Sequence, residues 1–265
     1  MISDLIARLM CPARDAIGRA LLRLGLTPNV ITLLGMLFTV GVGVAAALGQ
    51  ACWRPWAFTL VIAAGACDML DGAMAKLGDR RTRFGAIFDS TCDRVGDAAL
   101  YLGPAFYYIV RPDAPPGTPA NLTLVGLAGL GLLWAYLISY IRARASNEGL
   151  RADGGFWQRP ERIVTVWLGL GFHHLPTALW ILGIAPAATV LHRLWRVRQA
   201  DRPQPALWAV NDYGPPGLAG VLLFRWPRGT LAFDIQAGAT ILALLFWDLP
   251  AIDPLRTVLG GLVGG

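Results

Sequence analysis

Four aspartates, Asp68, Asp71, Asp89 and Asp93, stand inside stretches of sequence apolar enough to cross a bilayer. Carboxylates at membrane depth are costly to bury, so their presence there points by default to a functional site. On a helix turning about 100° per residue, Asp68, Asp71, Gly72 and Ala75 share one arc, while Gly85, Asp89 and Asp93 follow one another by single turns on a second. Two acid-bearing faces can therefore meet. Ionised carboxylates that face each other repel unless a cation lies between them. An all-oxygen donor set selects a hard divalent ion, magnesium, manganese or calcium, ahead of zinc. The basic neighbours Lys76, Arg80, Arg81, Arg83 and Arg94 offer a rival means of neutralising these acids, but simple ion pairing requires neither the glycines nor this order.

The run DMLDGAMAKLGDRRTRFGAIFDSTCD, residues 68–93, resembles the signature of the CDP-alcohol phosphatidyltransferase family, Asp-x2-Asp-Gly-x2-Ala-Arg-x8-Gly-x3-Asp-x3-Asp. Its one departure is Lys76, which keeps the charge of the family's arginine but lacks its bidentate fork. The resemblance implies a metal site of Asp68, Asp71, Asp89 and Asp93 that holds two Mg2+, with Mn2+ as a substitute. It implies Asp93 as the general base, deprotonating an acceptor alcohol that attacks the β-phosphate of CDP-diacylglycerol and expels CMP. No residue is placed as a covalent nucleophile. The sequence TPNVIT at residues 27–32 is similar to the family's lead-in to its first membrane helix. With it, the resemblance assigns CDP-diacylglycerol contacts to Asn29, Val30, Ile31, Thr32, Gly72, Ala75, Lys76, Thr82 and Gly85.

A second stretch, ISYIRARASNEGLRADGGFWQRPERI at residues 138–163, resembles the segment that marks the bacterial phosphatidylinositol phosphate synthases within that family. These carry a YIKARA-like helix end, a DGG turn and an RPER sequence. Arg142 replaces their lysine, while Arg159, Arg162 and Arg193 match their basic positions. Guanidinium forks suit the oxygens of a phosphate monoester, so the implied acceptor is itself phosphorylated, inositol 1-phosphate first. Glycerol 3-phosphate, the acceptor of the phosphatidylglycerophosphate synthases, presents the same group and remains the alternative. An arginine-rich loop that only obeys membrane topology is the plainer reading. A divalent-cation transporter is the alternative from another class, since transporters also place acids at helix breaks. Against it, these acids lie toward the cytoplasmic ends of the spans, and no inverted repeat is visible.

The elements that must position these groups follow from composition. With 55% hydrophobic and 15% charged residues over 265 positions, and a mean hydropathy of +0.51, the chain is too apolar for an ordinary globular domain. It reads as an all-α, polytopic membrane protein. Apolar stretches of about 20 residues, enough to span a bilayer, run over residues 29–49, 55–76, 84–110, 120–141, 160–176 and 177–195, the fifth being the shortest. Arginines and lysines crowd the segments before the first span, between the second and third, after the fourth and after the sixth, while only Arg54 and Arg111 lie on the opposite side. The positive-inside rule then puts the acid-bearing ends at the cytoplasmic face of the cell membrane. The net charge of +6 is absorbed by this topology, which leaves no basic soluble domain for nucleic acid. No cleavable signal peptide is evident at the N-terminus.

Three parts result. Residues 1–27 carry apolar side chains at helical spacing opposite Asp4, Arg8, Asp15, Arg19 and Arg23, the pattern of an interfacial helix. Gly25 ends it, and Thr27 and Pro28 start the first span as N-cap and first helical residue. Residues 28–200 form the transmembrane catalytic domain, for which the resemblance, covering about residues 14–200, also implies a homodimer. Residues 201–265 are a proline-marked extension in which Ala237 to Trp247 is apolar but short, leaving a seventh span, a re-entrant segment and an interfacial helix all open. The cysteines lack CxxC spacing and read as small packing residues. His173 and His174 fall in a turn between the fifth and sixth spans, and His192 reads as an interfacial packing residue.

Overall fold

The computed structural model describes residues 2–111 and 115–201, together with Ile235, Gly238, Ala239, Ile241, Leu242 and Pro254. The sequence expectations for the C-terminal extension lie outside the described residues. Among the described residues the regular elements are all helices, with no strand: α1 (Ile2–Arg23), α2 (Pro28–Leu48), α3 (Gln50–Leu77), α4 (Arg83–Val110), α5 (Leu122–Asn147), α6 (Arg159–Gly171), α7 (Leu175–Ile184) and α8 (Pro186–Ala200). The chain divides into two compact units, the first running to Val125 and the second beginning at Gly126.

In the first unit, α2 packs against both α3 and α4, and α1 packs against α3. Small residues allow the close approach, as they do between membrane helices where shape, not hydrophobicity, drives association. A Cβ on Gly43 of α2 would strike the Ala99 carbonyl of α4, and one on Gly103 would strike the Gly43 backbone. Toward its N-terminus α2 turns Gly35 to α3, where a Cβ would come within 3.0 Å of the Cys67 Cβ. The two contacts fix the register of α3 and α4 on α2, and with it the depth at which their acids stand.

Helix α1 ends as its sequence indicates. Gly25, at φ 81°, donates to the Leu22 carbonyl and Leu26 donates to that of Leu21, the paired bonds of a Schellman motif. Thr27 occupies the N-cap of α2 in extended conformation with Pro28 inside the first turn, although no side-chain capping bond forms. Gly18 of α1 faces Met74 and Leu77 of α3, and Leu22 faces Gly78, so part of the apolar face of α1 packs on α3.

In the second unit α6 packs against α7, and α7 against α8. Among the described residues, three segments are long and apolar enough to cross a membrane: Pro28–Leu48, Leu122–Asn147 and the α7–α8 run Leu175–Ala200. The fifth expected span is shorter than its apolar stretch: α6 has 13 residues, about 20 Å of rise, against a hydrocarbon thickness of about 30 Å. It stops at Gly171 because the chain turns at Phe172–His174, where His173 takes φ 63°, and α7 starts with His174 as N-cap. The two histidines thus occupy the expected turn. The sixth stretch is interrupted at Ala185, since Pro186 has no N–H to continue the ladder. Among the described residues, Cys11, Cys67 and Cys92 form no disulfide.

Candidate active site

The carboxylate site lies where α3 ends and α4 begins. The chain leaves α3 through Gly78 and a left-handed Asp79 at φ 49°, and re-enters helix at Thr82, whose hydroxyl oxygen accepts from the Gly85 amide at 2.9 Å. This N-cap is worth about 1 kcal/mol and sets the rotation of α4, so that Asp89 and Asp93 point toward α3. Ligand oxygens of Asp68, Asp89 and Asp93 all lie within 4.8 Å of one another. At that separation each like-charge pair costs on the order of 3 kcal/mol at an effective dielectric near 20. Opposite ligands of a hard divalent ion stand about 4–5 Å apart, so the spacing and the donor type both fit such a cation. Three of the four expected acids therefore converge.

The fourth, Asp71, is differently employed. It is buried, and its Oδ2 accepts from the Thr32 hydroxyl of α2 at 2.6 Å, while Oδ1 accepts from the Gly72 amide at 2.5 Å. These bonds aim the carboxylate, which stays within electrostatic reach of Asp68 and Asp89. Thr32, expected at the nucleotide, thus spends its hydroxyl on an acid of the site. Sequence spacing could not pair residues 39 positions apart.

Of the remaining expected nucleotide contacts, Asn29, Thr82 and Gly85 come together. A Cβ on Gly85 would lie 3.0 Å from Thr82 Oγ1 and 3.4 Å from Asn29 Oδ1, so packing alone accounts for that glycine. Gly72 is the opposite case. A Cβ there would meet nothing within 4 Å among the described residues, so protein packing leaves it unexplained. Lys76 is exposed in the last turn of α3, Ala75 is half-buried, Val30 is exposed and the Ile31 side chain belongs to the core.

Sequence reasoning missed a charged group beside the site. Asp97, one turn beyond Asp93 on α4, is 1% exposed. Its Oδ2 stands 3.5 Å from Arg94 Nη2, and the same nitrogen stands 3.8 Å from Asp93 Oδ2. The signal was the continued four-residue spacing of Asp89, Asp93 and Asp97.

The arginine group belongs to the second unit and is built around a glycine loop. Helix α5 closes at Gly149, φ 71°, with Gly149 and Leu150 donating back to the carbonyls of Ser146 and Ala145. Gly154 and Gly155 follow at φ 109° and 89°, values side chains resist, and a Cβ on Gly155 would collide with Thr189 of α8. Thr189 in turn accepts from the Trp157 amide at 3.2 Å. Arg193 is buried; its Nε donates to the Gly154 carbonyl at 3.2 Å and its Nη1 to the Ile138 carbonyl. Arg162, also buried, donates from Nη1 to the Trp157 carbonyl at 3.1 Å. Arg142 is exposed and 3.3 Å from Asp153, and Arg159 is half-buried at the start of α6. Arg142, Arg162 and Asp153 all lie within electrostatic reach of Arg193. The four expected arginines thus sit around one loop, two of them bracing it. His192 is buried and stacks on Trp195 at 6.2 Å, a packing role.

Comparison with known proteins gives the family. The profile of the CDP-alcohol phosphatidyltransferase family matches residues 25–195. The chain is 37% identical to the phosphatidylinositol phosphate synthase of Mycolicibacterium smegmatis over 209 residues, 75% of this chain and 90% of that one. It is 34% identical to the enzyme of that name from Corynebacterium glutamicum, over 68% of this chain and 81% of that one. Among solved structures, the Mycobacterium tuberculosis phosphatidylinositol phosphate synthase with CDP-DAG bound superposes with a TM-score of 0.61 at 33% identity, covering 73% of this chain and 98% of that one. A structure of the same enzyme in complex with manganese and citrate gives 0.60 at 34% identity, covering 72% and 93%.

Proposed function

Because the chain belongs to the CDP-alcohol phosphatidyltransferase family, we propose that it transfers the phosphatidyl group of CDP-diacylglycerol to inositol 1-phosphate, giving phosphatidylinositol phosphate and CMP. The observation that carries this reading is the convergence of Asp68, Asp89 and Asp93 within 4.8 Å at the family's signature. Family membership makes the chain a transferase and leaves the transporter alternative without support. The relatives that bear the name of the inositol phosphate enzyme, and the one solved with CDP-DAG, favour inositol 1-phosphate over glycerol 3-phosphate.

Asp68, Asp71, Asp89 and Asp93 would hold two divalent ions, magnesium by preference. Ions held there would supply charge neutralisation to the diphosphate and to the departing CMP. Thr32 keeps Asp71 aimed at this site. Asp93 accepts the proton of the attacking inositol hydroxyl; the oxygen so freed bonds to the β-phosphorus as the bond from that phosphorus to the bridging oxygen breaks. Asn29, Thr82, Gly85, Lys76 and the open face at Gly72 receive the nucleotide diphosphate. Arg142 and Arg159 offer guanidinium groups to the acceptor phosphate, while Arg162 and Arg193 hold the Gly154–Gly155 loop that shapes its pocket and contribute their remaining N–H donors. Residues 28–200 act as a catalytic domain of six membrane segments, with residues 1–27 on the cytoplasmic leaflet and the site opening to the cytoplasm.

The test uses purified protein, CDP-diacylglycerol, Mg2+ and a panel of acceptors, with CMP release as the readout. Inositol 1-phosphate is expected to be used, and free inositol more than a hundredfold less efficiently, because losing two charge-assisted hydrogen bonds costs about 3–6 kcal/mol. Equal turnover of free inositol overturns the phosphate pocket. A strong preference for glycerol 3-phosphate keeps the pocket and changes the acceptor.

A further inference from the structure

Arg94 and Asp97 have no part in the metal site and chemistry proposed above, yet they stand beside it on α4. Asp97 is almost wholly buried, with a side chain 2% exposed. A carboxylate in that position is stabilised by a close cation, and removing the partner of a buried pair is strongly destabilising. Arg94 is the cation, three residues earlier on the same helix, a spacing at which side chains meet. Its Nη2 lies between two carboxylates, 3.5 Å from Asp97 Oδ2 and 3.8 Å from Asp93 Oδ2. Asp93 is also one of the three acids whose oxygens converge within 4.8 Å. An arginine is thus stationed at the edge of a site that has to bind a cation, where its own charge competes for the same carboxylate.

We infer that Asp97 is a positioning residue: its buried carboxylate holds Arg94 back from Asp93 and so keeps Asp93 available to the divalent ion. Asp97 touches neither the metal nor the substrate in this reading. It acts through Arg94, whose flexible side chain would otherwise close onto Asp93 and neutralise it. The inference rests on the proposed metal site, and it adds a sign. Removing the charge of Asp97 weakens metal binding by freeing a competitor, whereas removing both charges together takes the competitor away.

The experiment measures Mn2+ binding directly, without substrate, by the loss of the free-ion paramagnetic resonance signal on titrating the full-length chain in detergent. Asp97→Asn is expected to weaken Mn2+ binding about tenfold, the lower end of what outer partners of metal ligands contribute. The double variant Arg94→Gln/Asp97→Asn is expected to bind Mn2+ at least as tightly as the unaltered chain, although it has lost the same ion pair. That recovery separates positioning from a structural role, in which the double variant would be no better than the single one. Unchanged Mn2+ affinity in Asp97→Asn overturns the inference, and so does a double variant that binds more weakly than the unaltered chain. Should the single variant fail to fold, the charge-neutral double variant decides alone by the same criterion. CMP release by the unaltered protein is followed in parallel. Its presence with no Asp97 effect rejects only the positioning role, and its absence from every acceptor rejects the proposed reaction.

Discussion

Asp68, Asp89 and Asp93 in the first unit face one another across helices, whereas Arg162 and Arg193 in the second unit have already committed donors to backbone carbonyls. Both regions gather like charges within a largely apolar chain, and they differ in what offsets the cost. The arginines are held by carbonyls of Ile138, Gly154 and Trp157, so their cluster is stable before any anion arrives. The carboxylates converge on one another, with Thr32 on Asp71 and Arg94 beside Asp93, and in the proposed reading an incoming cation balances their charge. Substitutions should therefore fail differently in the two places, through metal and turnover in the first and through loop stability and acceptor affinity in the second.

The sharpest break in this comparison is Asp89→Asn or Asp68→Asn. Either removes one of three converging oxygen donors, so CMP release should fall to background and Mn2+ binding should be lost while the protein remains folded. Near-normal turnover in a folded variant would remove that residue from the site. Asp93→Asn should lose at least the roughly hundredfold typical of a missing general base, yet still bind CDP-diacylglycerol. If turnover survives, another group takes the proton.

The second region divides into supports and contacts. Arg159→Ala should raise the acceptor KM about tenfold or more, the value of one charge-assisted hydrogen bond, and leave the CDP-diacylglycerol KM within about twofold. Arg193→Ala should raise the acceptor KM as well, but it also leaves the Gly154 and Ile138 carbonyls without their donor, costing on the order of 1–3 kcal/mol in stability. A melting temperature equal to that of Arg159→Ala would show that the bracing contributes nothing.

The acid cluster was legible because its information is local. Helical spacing places Asp68 with Asp71 and Asp89 with Asp93 on two faces, and the Gly85 and Thr82 positions carry the turn between them. The Gly154–Gly155 loop was legible only through the resemblance to a DGG turn, and its positive φ values are ones that side chains resist. The unread parts are the ones that tertiary packing decides. Nothing in the sequence separates an arginine that will meet a phosphate from one that will brace carbonyls, because Arg159, Arg162 and Arg193 differ in burial, not in type. Thr32 reads as part of a polar lead-in until α2 and α3 are packed. The length of α6 depends on where the chain turns, whereas the break before Pro186 carried a signal that the apolar run obscured.

The smallest predicted effects set two glycines of the first unit against each other. In mid-helix a glycine costs about 1 kcal/mol relative to alanine, so replacing one stabilises a protein wherever the new methyl group has room. At Gly72 it has room, with no packing neighbour within 4 Å among the described residues, and Gly72→Ala should raise stability by up to that amount. If the nucleotide diphosphate lies along that face, the same methyl group stands in its way, and the KM for CDP-diacylglycerol should rise as the melting temperature does. At Gly85 the methyl group would press on Thr82 Oγ1 at 3.0 Å, disturbing a cap worth about 1 kcal/mol. Gly85→Ala should therefore lower stability and weaken nucleotide binding together. Thermal unfolding paired with CDP-diacylglycerol kinetics on the two variants reads both signs. A Gly72→Ala protein that is more stable and binds substrate normally would move the diphosphate off that face of α3 and leave Asn29, Lys76, Thr82 and Gly85 as its remaining proposed contacts.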